Sequence, residues 1–227
     1  MKYRLLGILL FMGALCGRAG EIKPVVFDFD NEASLKSHWK QRRTALHIPM
    51  SQFNVVKSSG ARDGRALAVR CRKSSGMLLI SPAELDLHKT PVMRWRWRVV
   101  RPVVVRNGKD TDDQAVAIYF CDGNTLRQFA VSYRWENLHP MGFRELIRYS
   151  GGAVTVNSIC MRNNKSAVGE WFEEERNVLQ DFRRAFKRNP MNRFAIGVAG
   201  NSQYTKSDTL VEIDYIEFHP EQKRGKR

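Results

Sequence analysis

Nine short segments, at residues 25–29, 67–71, 92–99, 114–121, 128–134, 146–149, 154–160, 194–198 and 210–218, are rich in β-branched or aromatic residues. Most are bounded by Gly, Asn, Asp, Ser or Pro. Segments of this kind predict β-strands. No regular strand–helix alternation runs through the chain, which argues against a parallel α/β sheet and for a sandwich or barrel. One stretch departs from the pattern. Between Glu170 and Lys187, Trp171, Val178, Phe182 and Phe186 fall at seven- and four-residue intervals. Glu170, Glu173, Glu174 and Glu175 come first, and Arg183, Arg184, Lys187 and Arg188 come last. The spacing gives one apolar face and the charge order suits a helix dipole. A helix near residues 170–187, ended by Asn189-Pro190, is therefore expected to lie across the sandwich. The predicted fold is an all-β, jelly-roll-like sandwich of two antiparallel sheets with this one packed helix.

The 227 residues are 43% hydrophobic and 27% charged, which suits a single globular domain and excludes a collagen-like or disulfide-dense chain. Lys2 and Arg4, an apolar run from Leu5 to Leu15, and Gly17-Arg18-Ala19 read as a secretory signal cleaved after Ala19. The run is too short to span a bilayer, and no lipoprotein box precedes Cys16. The expected organisation is a signal peptide at 1–19, one domain at 20–220 and a basic tail at 221–227. Such a protein is periplasmic or secreted, without integral membrane insertion after cleavage. The formal net charge of +15 becomes +12 once Lys2, Arg4 and Arg18 are gone. A charge of this size attracts polyanions, so a polysaccharide or an anionic envelope polymer is the expected partner. Nucleic acid is not expected as a partner of an exported protein. Cys71, Cys121 and Cys160 remain, an odd number that excludes a complete disulfide framework. One bridge among them or three buried thiols are both open.

The most distinctive stretch is Met93-Arg-Trp-Arg-Trp-Arg-Val99. As a strand it sends Met93, Trp95, Trp97 and Val99 to one side and Arg94, Arg96 and Arg98 to the other. Adjacent guanidinium groups bind anionic groups bidentately, so this row is a candidate ligand surface. Tyr133 and Trp135, with Tyr149, are candidates for stacking on sugar rings. Asp28 and Asp30 lie two apart on the first strand and Asp214 lies in the last. Were those strands neighbours, the three carboxylates would suit a structural calcium. Asp110, Asp112 and Asp113 form a second acidic group, without the Gly and Glu of a calcium loop. Catalytic signatures are missing: no Gly-x-Ser-x-Gly, His-Glu-x-x-His, phosphate loop or dinucleotide fingerprint occurs. The histidines are scattered singly. Glu136 and Glu145 are a conceivable glycosidase pair whose separation the sequence does not give.

Four motifs in order carry a family resemblance. They are Val92 to Val99, Asp112-Asp-Gln-Ala-Val-Ala-Ile-Tyr-Phe120, Gly169-Glu-Trp-Phe-Glu-Glu-Glu-Arg-Asn-Val178 with Asp181-Phe-Arg-Arg-Ala-Phe186, and Phe194-Ala-Ile-Gly-Val-Ala199 with Asp214-Tyr-Ile-Glu-Phe218. Over residues 65–220 the chain resembles the bacterial domain of unknown function 3047. The resemblance implies an exported β-sandwich and supplies no catalytic residues. The acidic loop expected in that family after the penultimate strand reads here Ala199-Gly-Asn-Ser-Gln-Tyr-Thr205, without acids. The terminal strands are also similar to those of jelly-roll carbohydrate-binding modules, which implies structural calcium near such positions. The function expected is non-catalytic binding of a glycan or anionic envelope polymer through Arg94, Arg96, Arg98, Tyr133 and Trp135. The alternatives are a structural or protein-interaction module of the envelope and a glycan-active hydrolase or lyase.

Overall fold

The computed structural model describes residues 22–44, 46–81, 85–105, 112–124, 126–191 and 194–222. The expected signal peptide at 1–19, residues 106–111 with Asp110, and residues 223–227 of the basic tail lie outside them. Among the described residues, thirteen strands and two α-helices follow in the order β1 Val25–Asp28, α1 Glu32–His38, β2 Lys40–Arg43, β3 Gln52–Lys57, β4 Arg65–Arg72, β5 Ser75–Ile80, β6 Val92–Arg101, β7 Gln114–Gly123, β8 Gln128–Trp135, β9 Arg144–Tyr149, β10 Val154–Arg162, β11 Phe172–Asn177, α2 Val178–Phe186, β12 Phe194–Asn201 and β13 Asp208–His219. All nine predicted segments are strands; β2, β3, β5 and β11 are additional.

Two sheets face each other. One runs β11-β6-β13-β4-β3, with β1 also paired to β13; the other runs β2-β5-β12-β7-β8-β10-β9. The chain passes from one sheet to the other along β4, β5, β6 and β7 and again along β11, β12 and β13, the jelly-roll-like feature of the topology. The pairing is antiparallel except at one place. β10 lies between β8 and β9 and runs parallel to β8, a correction to the purely antiparallel expectation. The β9–β10 hairpin folds back so that β10 rather than β9 meets β8.

The alternation in β6 is realised as predicted: Met93, Trp95, Trp97 and Val99 are buried and the three arginines between them are half-exposed. Across the core, Trp95 meets Tyr133 with ring centroids 5.0 Å apart, and Trp97 meets Trp135 at 5.8 Å. Burial of such rings, each worth several times ~0.8 kcal/mol per methylene-sized unit, is the main force joining the sheets. α2 closes one side by placing Val178 and Phe182 in this core.

The expected helix at 170–187 divides in two. Phe172 to Asn177 is β11, paired to β6 with Glu175 opposite Arg94 and Glu173 opposite Arg96. The helix begins only at Val178, where the Asn177 side chain accepts from the Gln180 amide. Two-residue alternation, with Phe172 and Glu174 inward and Glu173 and Glu175 outward, prevails because β6 offers a backbone edge and a complementary row of cations. α1 is a further helix, capped by Asn31 and seated through Leu35.

The β7–β8 connection depends on Gly123, whose φ is 129°. A Cβ there would stand 2.2 Å from the Arg127 carbonyl oxygen. Gly123→Ala should therefore cost about 2 kcal/mol or more, read as a lowered urea midpoint at unchanged slope. An unaltered midpoint would show that the turn adapts.

Candidate functional site

The arginine row lies on the outer face of the six-stranded sheet, and its neighbours match it charge for charge. Arg94 bonds Glu175 on β11 at 2.6 Å, Arg96 bonds Asp214 on β13 at 2.9 Å, and Arg98 bonds Glu212 on β13 at 2.7 Å. A register shift between Ile213 and Tyr215 inserts Asp214 into β13, so Glu212, Asp214 and Tyr215 all serve this face. The turn from Ser58 to Gly64 folds onto it. The Arg62 amide donates to Asp214, the Arg62 guanidinium bonds Glu217, Ser58 joins Arg98 to Glu212, and Arg96 donates to the Gly60 carbonyl. Burial pushes the Glu217 carboxyl up, but Arg62 and then His219 hold it below its ordinary range.

Trp171 completes the face. Its ring lies 4.8 Å from the Arg96 guanidinium and 4.7 Å from that of Arg98, and its indole N–H donates to the Ser59 carbonyl. It reaches this position because the chain turns at Gly169, where φ is 88° and the amide donates to Val99 at the far end of the β6 row. Each cation–π contact is worth about 0.5–1 kcal/mol at an exposed site. The most exposed of the three ion pairs, Arg94 with Glu175, adds only ~0–1 kcal/mol. The sequence pattern assigned Trp171 to a helix. The signal that would have placed it correctly is the acidic run Glu173-Glu174-Glu175, whose alternate members complement an arginine row of the same two-residue period.

Tyr133 and Trp135, expected at the ligand surface, lie in the core at 0% and 1% exposure. They share the inward side of β8 with Val131, while Ala130, Ser132 and Arg134 take the outward side. The Tyr133 hydroxyl satisfies itself on Asp181 of α2 at 3.0 Å. Tyr149 has the opposite orientation and sits on the outer face of the seven-stranded sheet, packed against Ala117, Tyr119, Ala130, Val156 and Ala199. There Asp112 accepts from Arg134 and, at 2.9 Å, from Tyr149. Asp113 accepts from the amides of Tyr204 and Thr205. Asp112 and Asp113, the described members of the second acidic group, thus anchor the entry to β7.

Asp28 and Asp30 do not join Asp214 in one oxygen set. β1 does pair with β13, but both Asp214 oxygens accept from Arg62 and one also from Arg96. Burial, then the charges of Asp30 and Asp63, raise the Asp28 carboxyl above its ordinary value. Among the described residues no group of three or more His, Cys, Asp or Glu is placed to hold a metal. Glu136 bonds His139 at 3.0 Å, and Glu145 lies 3.9 Å from Arg134, away from the arginine face. Cys71, Cys121 and Cys160 are free thiols. No helix among the described residues is long and apolar enough to cross a membrane.

A two-sheet sandwich with a polar outer face under a single tryptophan is the class so defined. The chain belongs to the family described as "Protein of unknown function (DUF3047)", which matches residues 37–217. No curated protein matches it in sequence. Among solved structures it is similar to the family 11 carbohydrate-binding module of the cellulosomal cellulase Lic26A-Cel5E of Clostridium thermocellum, at 10% identity over 90% of this chain and 99% of that one, TM-score 0.49. The family 30 carbohydrate-binding module of the cellulase Cel9D-Cel44B from the same organism gives 10% identity, 82% and 99% coverage and a TM-score of 0.43. Endoglucanase 3 of Trichoderma harzianum, from family GH12, gives 9%, 88%, 96% and 0.41. At these identities no ligand or activity passes to this chain.

Proposed function

We propose that the protein is an exported, non-catalytic glycan-binding module whose contact surface is the outer face of the six-stranded sheet. The observation that carries this reading is Trp171 held across Arg96 and Arg98 on that face. An indole supplies a flat apolar surface for the CH groups of a sugar ring. The ion pairs around it present donors and acceptors side by side, which suits hydroxyl groups that both donate and accept. Arg94, Arg96 and Arg98 are contact residues in this reading. Their charge is matched by Glu175, Asp214 and Glu212, so the ligand here is a neutral glycan rather than a polyanion. The same pairing supports a non-catalytic role, because these carboxylates and Glu217 are all engaged by arginines.

Affinity electrophoresis of the purified protein through gels containing mixed-linkage β-glucan, xylan or other neutral polysaccharides tests the proposal. Retardation by one polymer should persist at high salt, since neutral contacts are not screened. Trp171→Ala and the pair R96Q/R98Q should each weaken it tenfold or more, with a circular-dichroism spectrum like that of the unaltered protein. Retention by no neutral polysaccharide, or full retention of the Trp171→Ala protein, would sink it.

A further inference from the structure

Away from the neutralised arginine row, one group of cations clusters at the C-terminal end of α2. Arg183, Arg184 and Lys187 are exposed there, Arg188 is half-buried, and Arg127 approaches from the β7–β8 turn. Arg127 and Arg188 both lie over the Phe129 ring, at 5.3 and 4.5 Å. Of these five cations only Arg188 has a carboxylate partner among the described residues, the buried Asp122 at 2.6 Å. Asp122 is itself committed, since it also accepts from the Met191 amide. A helix C-terminus favours cations, which accounts for one or two of them. It does not account for a shallow, widely open cavity bordered by Arg183, Lys187, Arg188 and Asn189.

Two guanidinium groups are already oriented around this cavity by one residue. Arg183 donates through Nε to the Asn189 side chain at 2.6 Å, and Arg188 donates to the Asn189 carbonyl at 2.8 Å. A guanidinium has five N–H donors, so Arg183 keeps four for a ligand after this bond. Fixed planar forks match carboxylates bidentately, and holding them in place beforehand lowers the cost of binding. Lys187, in a left-handed conformation with φ 56°, contributes a third cation to the same cavity.

We propose that this cavity is a second binding site, separate from the tryptophan face, and that it takes the carboxylates of an acidic polysaccharide. The choice of a polysaccharide over another polyanion rests on the glycan-binding reading; the anion chemistry rests on the cavity alone. A uronate chain offers one carboxylate per ring, which suits several cations around one shallow opening. The site would give the module a salt-sensitive grip in addition to its salt-resistant one.

The test uses the full chain and R183Q/K187Q, two exposed positions outside the proposed tryptophan site, with polygalacturonate as the probe. Unaltered protein should bind polygalacturonate, more weakly as salt rises. The double variant should bind it at least tenfold more weakly, with the same melting temperature and the same affinity for a neutral polysaccharide. Arg183→Lys, which keeps the charge but loses the fork, should fall between the two. No binding of polygalacturonate, or equal binding by the double variant, overturns the proposal. Equal or tighter binding of double-stranded DNA or of anionic phospholipid vesicles also overturns it, by showing charge without selectivity for carboxylates on a sugar chain. A Trp171→Ala protein that keeps its neutral-glycan affinity would remove the tryptophan face and leave this result standing.

Discussion

Asp181→Ala should destabilise the protein by about 3–5 kcal/mol, the cost of removing one partner from a buried ionic cluster. Asp181 is 4% exposed and receives four hydrogen bonds from three side chains. Arg176 donates twice, at 2.9 and 2.6 Å, Arg144 donates from β9 at 3.0 Å, and the Tyr133 hydroxyl donates from β8 at 3.0 Å. Alanine would leave two guanidinium groups facing each other beside an unpaired phenol. The cluster also ties α2 to strands of both sheets, so the loss should appear in urea unfolding as a lower midpoint with the same slope. Burial pushes the Asp181 carboxyl up, but Arg176 and then Arg144 outweigh it and hold the group below its ordinary value. A lowered folded-state value stabilises above the unfolded value near 3.9 and loses that contribution as pH falls through the folded one. The unaltered protein should therefore lose stability in acid faster than the variant. A loss under about 1 kcal/mol would mean that water replaces the carboxylate and that the cluster is not a structural tie.

Alkaline pH should act with comparable strength. Burial raises the thiols of Cys71, Cys121 and Cys160, the latter two to about 12. It also raises the hydroxyls of Tyr119, Tyr133, Tyr149 and Tyr215, Tyr215 to about 12. In the unfolded chain these groups ionise near 8.5 and 10. Above pH 8.5 the folded state thus holds more protons than the unfolded one, and stability falls as pH rises. At pH 10 the Cys121 and Cys160 thiols each favour unfolding by about 2 kcal/mol, since pH stands ~1.5 units above their unfolded value. Together these two remove about 4 kcal/mol, close to the lower end of an ordinary domain's stability of about 5–15 kcal/mol, and Cys71 acts in the same direction. Melting curves in reductant should drop steeply between pH 8 and 10, and more gently in a protein with all three cysteines replaced by alanine. Equal melting temperatures at pH 8 and 10 would show that these groups ionise without unfolding.

The same burial explains which expectations the amino-acid pattern could support. Every strand expected from β-branched and aromatic runs exists, because a two-residue period states directly which side chains can face a core. β6 shows this best: its tryptophans are inside and its arginines outside, as the pattern alone requires. In β8 the same rule applied to Phe129, Val131, Tyr133 and Trp135, whose small or polar alternates leave only the large residues for the core. Reading Tyr133 and Trp135 as sugar contacts set an aromatic composition above that period.

What the period could not state is which surface each strand meets. Phe172 to Asn177 has helix-compatible spacing, and it became a strand because β6 had an open edge and arginines at matching positions. Trp171 has no local signal for its place over Arg96 and Arg98; that place follows from a turn at Gly169 and a sheet edge more than seventy residues earlier in the chain. Asp214 was legible as an acid on the last strand. Its commitment to Arg96 and Arg62 depends on a one-residue register shift that no local pattern encodes. Fold class, core alternation and the outward arginine row were thus set by side-chain order along single strands. The pairing of those arginines and the tryptophan above them arise only when distant strands come into register, because they are contacts between segments that share no local sequence.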